Sequence, residues 1–140
     1  MKTSTPKPPI PKWLLLDADG ESLGRVAAKA ASLLRGKHRP EFSPHHVCGD
    51  NVVVVNVTKL AIHPSKITQK VYYRHTAYMG HLKRSSLGTL LQKDPCAVVR
   101  QAVKGMLPKN RLRDPLLKRL HIFTDALHPH DAQKPTRISL

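Results

Sequence analysis

Apolar positions along this chain fall into short runs and two helical stripes. Trp13-Leu14-Leu15-Leu16 is a run that stops at Asp17, a length suited to a buried strand. Asp17-Ala18-Asp19-Gly20 is turn chemistry, and Ser22 can cap a helix behind it. Leu23, Val26, Ala27, Ala30, Leu33 and Leu34 then recur at helical spacing, with Gly36 as the C-terminal stop. Val52 to Val55 are four β-branched residues in a row, the pattern of a strand covered on both faces, as in a parallel sheet. Strand, helix and strand at this spacing predict a right-handed βαβ crossover.

The rest of the pattern is weaker. Lys59–Ile62 and Val71–Tyr73 suit short strands, and Pro64-Ser65 reads as a turn. Ser86–Gln92 suits a short helix. Asp94-Pro95 is a strong helix start, with Val98, Val99, Ala102, Val103 and Met106 on the buried face and Gly105 near its end. Asp114-Pro115 repeats that signal, and His121-Ile122-Phe123 closes as a strand. The 140 residues are expected to form one domain over 13–126, with an extended arm over 1–12 and a loop or tail over 127–140.

Charge changes the picture more than length does. The chain has 24 Lys and Arg against 9 Asp and Glu, a formal charge of +15. No carboxylate occurs between Asp50 and Asp94. Such self-repulsion is tolerable mainly beside a polyanion, and nucleic acid is the default polyanion for a compact basic protein. Cys48 and Cys96 are far apart, which fits two buried thiols in a reducing compartment, cytosolic or organellar. Neither a membrane span nor an apolar signal segment is visible, and Met1–Pro11 is rich in Lys and Pro.

Two cationic clusters stand out. Arg100, Lys104, Lys109, Arg111, Arg113, Lys118 and Arg119 are opposed only by Asp114, and Pro108 and Asn110 break their middle into a loop. Lys66, Lys70, Arg74, Lys83 and Arg84 are interleaved with Tyr72, Tyr73, His75, Tyr78 and His81. Flat rings beside cations suit unstacked bases. Arg25, Lys29 and Arg35 form a cationic face on the first helix. Zinc-finger, zipper and RNP patterns are missing, which favours a structured RNA recognised by shape and backbone.

Motifs for other chemistry are weaker. Asp17-x-Asp19-Gly20 after a strand resembles the opening of haloacid-dehalogenase-type phosphatases, which work beside Mg²⁺. Such a site needs further acids to hold the metal, and Asp50 alone is available before Asp94 with no second acid near it; Glu21 stands where Thr or Ser is usual. Arg35-Gly36-Lys37-His38 lacks the glycine spacing of a P-loop and ends a helix, where the dipole opposes anions. The nine histidines, closest at His45-His46 and His128-Pro129-His130, lack zinc-type partners.

The motifs as an ordered set resemble the bacterial-type large-subunit ribosomal protein L13 (uL13) family. They are Trp13 followed by Asp17-Ala18-x-Gly20-x-x-Leu23-Gly24-Arg25-x-Ala27; Arg35-Gly36-Lys37-His38; and Gly49-Asp50-x-Val52-Val53-Val54-x-Asn56. Lys70-Val71-Tyr72, Tyr78-x-Gly80-x-x-Lys83, Ala102 through Lys109, and His128-Pro129-His130-x-Ala132-Gln133-x-Pro135 follow in order. The resemblance implies a single three-layer α/β/α domain with a small, mostly parallel central sheet and basic loops and tails. It implies a structural part of the large subunit that binds 23S-type rRNA and supports assembly in the cytoplasm, with neighbouring ribosomal proteins as partners. No catalysis, cofactor, metal, membrane or small-molecule substrate is implied. Expected RNA-binding residues are Arg25, Lys29, Arg35, Lys37, His38 and Arg39 around the first helix; Lys66, Lys70, Tyr72, Arg74, Lys83 and Arg84; and Lys104, Lys109, Arg111, Arg113, Lys118 and Arg119. The alternatives are a Mg²⁺-dependent phosphatase using Asp17 and Asp19, and a free RNA-binding regulator.

Overall fold

The computed structural model describes residues 7–139. Strand β1 (Trp13–Asp17) leads through helix α1 (Leu23–Arg35) to β2 (Asn51–Val55), which pairs with β1 in parallel. The cap chemistry behaves as the residues predict. The Ser22 hydroxyl accepts from the Arg25 N–H, and Gly36 closes the helix at φ 83°, a left-handed conformation that glycine adopts without strain.

After β2 come one 3₁₀ turn (Val57–Lys59), α2 (Pro64–Gln69), β3 (Val71–His75), β4 (Leu82–Ser86) and α3 (Leu87–Lys93). Next are α4 (Pro95–Met106), α5 (Arg113–Lys118), β5 (Leu120–Ile122), a second 3₁₀ turn (Asp131–Gln133) and β6 (Thr136–Ile138). The central sheet runs β5-β2-β1-β6 and every pairing in it is parallel. β3 and β4 form a separate antiparallel ribbon.

One face of the sheet carries the main core. Leu14, Leu16, Val52, Val54 and Leu120 point toward Val26, Ala27, Ala30 and Leu34 of α1, Val99 and Val103 of α4, and Leu116 of α5. The other face has a thin cover. Trp13 and His121 meet His130, from the β5–β6 connection, at ring distances of 4.9 and 4.5 Å. The third layer is therefore mostly irregular chain with one 3₁₀ turn. The continuous burial of Val52–Val55 follows from cover on both faces.

Five expectations need correction. Met106, expected on the buried face of α4, is 48 % exposed at the end of that helix. Lys59–Ile62 forms no strand; it contributes the end of a 3₁₀ turn and one isolated bridge, Ala61 to Ser22. Val57 and Leu60, three apart, both turn toward the core there. Pro64-Ser65 opens a helix rather than making a turn, with the His63 ring nitrogen accepting from the Ser65 N–H at 3.3 Å. The stretch 127–140 is not only loop or tail, because Thr136–Ile138 extends the central sheet beside β1. Cys48 is buried, but Cys96 is half-exposed. There burial and the nearby Asp94 push its thiol pKa up.

Candidate nucleic-acid interface

Asp17, Asp19, Glu21 and Asp50 each have a partner of their own, and this decides which nearby cations remain free. Asp50 is 1 % exposed at the start of β2. It accepts from the Lys12 N–H at 2.7 Å, pairs with His38 Nε2 at 2.7 Å, and accepts from both Nε and Nη2 of Arg39. A further Arg39 nitrogen donates to the Ile10 carbonyl at 3.2 Å. A buried carboxylate is tolerable only when so completely paired. Gly49 makes the placement possible: a Cβ there would come within 1.6 Å of the Leu34 carbonyl oxygen at the end of α1. Arg119 donates to the Gly49 carbonyl. His38, Arg39 and Arg119, expected at the RNA surface, are therefore engaged in an internal junction. Their partners lie 11 to 70 residues away, beyond the reach of local pattern.

Asp17 is similarly occupied. It accepts from Asn56 Nδ2 at 2.8 Å, from the Asp19 N–H at 3.1 Å and from Arg137 Nη2 at 2.6 Å. The Asn56 hydrogen bond is the main reason its carboxyl is held below the usual range, with the Asp19 amide and Arg137 adding to it against a modest burial cost. Asp19 lies 3.4 Å from Lys59 Nζ, and Glu21 3.9 Å from Arg25. Asp17, Asp19 and Glu21 line one shallow cavity with Arg137, but each acid there already faces a cation. A phosphatase nucleophile at Asp17 would have to break its Asn56 and Arg137 bonds to act.

The remaining cations face outward. Among the described residues, no Lys or Arg from Lys66 to Lys118 has an ion-pair partner. Lys66 on α2 and Lys70 at its end are exposed, and the Lys70 ammonium sits 5.5 Å from the Tyr72 ring centroid. Tyr72 is half-buried, its hydroxyl lacks a hydrogen-bond partner, and burial raises its pKa. Arg84 lies 5.8 Å from the exposed Tyr73 ring. Arg74 stands opposite Lys83 across the ribbon.

Lys104 on α4, Lys109 and Arg111 in the α4–α5 loop, and Lys118 on α5 are exposed, whereas Arg113 is half-buried. On α1, Lys29 is half-exposed and the Arg35 guanidinium lies 5.5 Å from the Phe42 ring centroid. Lys37 is exposed.

Folding brings the two sequence clusters together. Arg74 and Lys83 from the ribbon and Lys93 and Lys104 from α3 and α4 line one groove of about 710 Å³. Lys93 and Gln101 were not among the expected contacts. Lys93 ends a short helix whose packing against the ribbon cannot be read locally. A bare one-turn spacing of Ala97, Gln101 and Lys104 on α4 is the only signal that could have pointed to Gln101.

Comparison with known proteins gives a consistent result. The family model described as Ribosomal protein L13 matches residues 11–129. The large ribosomal subunit protein uL13 of Thermus thermophilus is 47 % identical over 140 residues, covering all of both chains. That of Lawsonia intracellularis is 49 % identical over 142 residues, covering 100 % of this chain and 99 % of its own. That of Macrococcus caseolyticus is 43 % identical over 129 residues, 92 % of this chain and 89 % of its own. No helix among the described residues is long and apolar enough to cross a membrane.

Proposed function

We propose, from the premise that this chain belongs to the ribosomal protein L13 family, that it binds large-subunit rRNA and helps to assemble and hold it. The family is one of structural ribosomal proteins, so the chain is a ribosomal component and not an enzyme. The observation that carries the RNA reading is the unpaired cationic surface from Lys66 to Lys118. The nine acids cannot neutralise it: they are too few, and Asp17, Asp19, Glu21 and Asp50 are bound to neighbours of their own.

The exposed and half-exposed members of the expected set do this work: Arg25, Lys29, Arg35 and Lys37 on and beside α1, the cations of the ribbon and α2, and Lys104, Lys109, Arg111 and Lys118. Phosphates are the natural ligands for such charges, and the α4–α5 loop can follow a curved backbone. The bacterial relatives fit a place on cytoplasmic ribosomes, with rRNA and adjoining ribosomal proteins as partners.

Sedimentation of the tagged chain through a sucrose gradient tests this reading. It should travel with large subunits; a chain found only in the soluble fractions favours a free RNA-binding regulator. Neutralising about 6 phosphates should cost on the order of 10³-fold in rRNA affinity between about 50 and 200 mM salt. A flat salt response sinks the electrostatic argument.

A further inference from the structure

We propose that the groove between the β3–β4 ribbon and helices α3 and α4 seats a single unpaired RNA strand, with bases over its floor and phosphates along its rims. This deepens the RNA-binding reading and rests on it.

Two features of the groove point the same way. Its floor includes Leu90 and Val98, apolar groups that a phosphate backbone alone does not use. Tyr73 stands at its edge, 61 % exposed, with the Arg84 guanidinium near its ring. An exposed tyrosine braced by a cation is a stacking platform for any base, and stacking needs a base released from its helix. A duplex keeps its bases inside and would meet only the charged rims.

The rims supply the second half of the argument. Arg74 and Lys83 are direct cross-strand partners, and like charges placed opposite each other weaken an antiparallel pair. The ribbon has only two strands, which is marginal without outside support. Lys93 and Lys104 face the same space from the helices. Four cations around one opening, none with a carboxylate partner, are relieved together by one run of phosphates. Gln101 on the same wall offers a donor and an acceptor to a base edge.

The test compares two labelled RNAs of about ten nucleotides, an oligouridine strand and a perfect duplex, titrated against the full chain by fluorescence anisotropy. The strand should bind more tightly than the duplex. Tyr73→Ala should weaken the strand on the order of ten-fold and leave the duplex unchanged. Lys83→Gln, also on the exposed ribbon, should weaken the strand as well. Circular dichroism checks that both variants fold. Equal affinity for the two RNAs, or a Tyr73→Ala variant with full strand affinity, overturns the proposal. Sedimentation with large subunits is scored separately. A chain that enters subunits but does not prefer the strand refutes the groove alone. A chain that prefers the strand but stays out of subunits refutes the ribosomal assignment alone.

Discussion

Arg39 and Lys83 are both cations in a basic protein, yet they occupy opposite situations. Arg39 is drawn into the fold by Asp50 and shares that carboxylate with His38 and the Lys12 amide. Lys83 stands on a two-stranded ribbon opposite another cation, with open groove beside it. A buried carboxylate turns neighbouring cations into architecture, while the lack of one leaves them for a ligand. A count of positive charges is silent on the difference.

The largest way to break this comparison is at Asp50. Asp50→Ala leaves Arg39 desolvated and unpaired and should cost about 3–5 kcal/mol, read as a lower urea midpoint. A loss below about 1 kcal/mol would show that the junction is not structural. On the other side, the double substitution Lys83→Gln with Lys104→Gln should alter stability by no more than about 0.5 kcal/mol. It should reduce the slope of log affinity against log salt for single-stranded RNA by about 1 to 1.5.

His121 lies between the two extremes. Burial holds its pKa below 6.5, and the neighbouring His130 and Arg100 push in the same direction. The unfolded chain therefore takes up the proton first, and this contribution to stability is fully present above about pH 6.5 and lost as pH falls through the lowered folded value. Asp17 behaves likewise at lower pH, below its reference of 3.8. The urea midpoint should fall between about pH 7.5 and 5.5, and His121→Gln should flatten that fall. An unchanged slope in the variant would assign the effect elsewhere. A small effect is expected at the exposed Lys59–Asp19 pair, where Lys59→Ala should cost no more than about 1 kcal/mol in the same unfolding measurement.

The sequence is legible where local chemistry and burial agree. Ser22 and Gly36 bound α1, Asp94-Pro95 opens α4 with the Asp94 carboxylate accepting from the Ala97 N–H at 2.9 Å, and Val52–Val55 lies in the sheet. β4 is illegible because Leu-Lys-Arg-Ser-Ser has no core to alternate against; most of it is exposed. β6 is three residues long and has meaning only beside β1. The free cations of the ribbon are visible from their one-sided composition. The internal bonds of His38, Arg39 and Arg119 are illegible because their partners come from another part of the chain. Asp50, a lone acid at the edge of a long cationic stretch, was the available hint.

The pairing of β1 with β6 also bears on the birth of the molecule. Asp17 and its partner Arg137 are separated by 120 positions. At about 5–20 residues per second, a growing polypeptide waits roughly 6 to 24 s between making one and making the other. During that interval one edge of an apolar strand has no neighbour, the situation in which nascent chains associate wrongly. Early chaperone cover, or fast capture by a negatively charged scaffold, therefore matters more for this topology than for one whose strands meet as neighbours in synthesis.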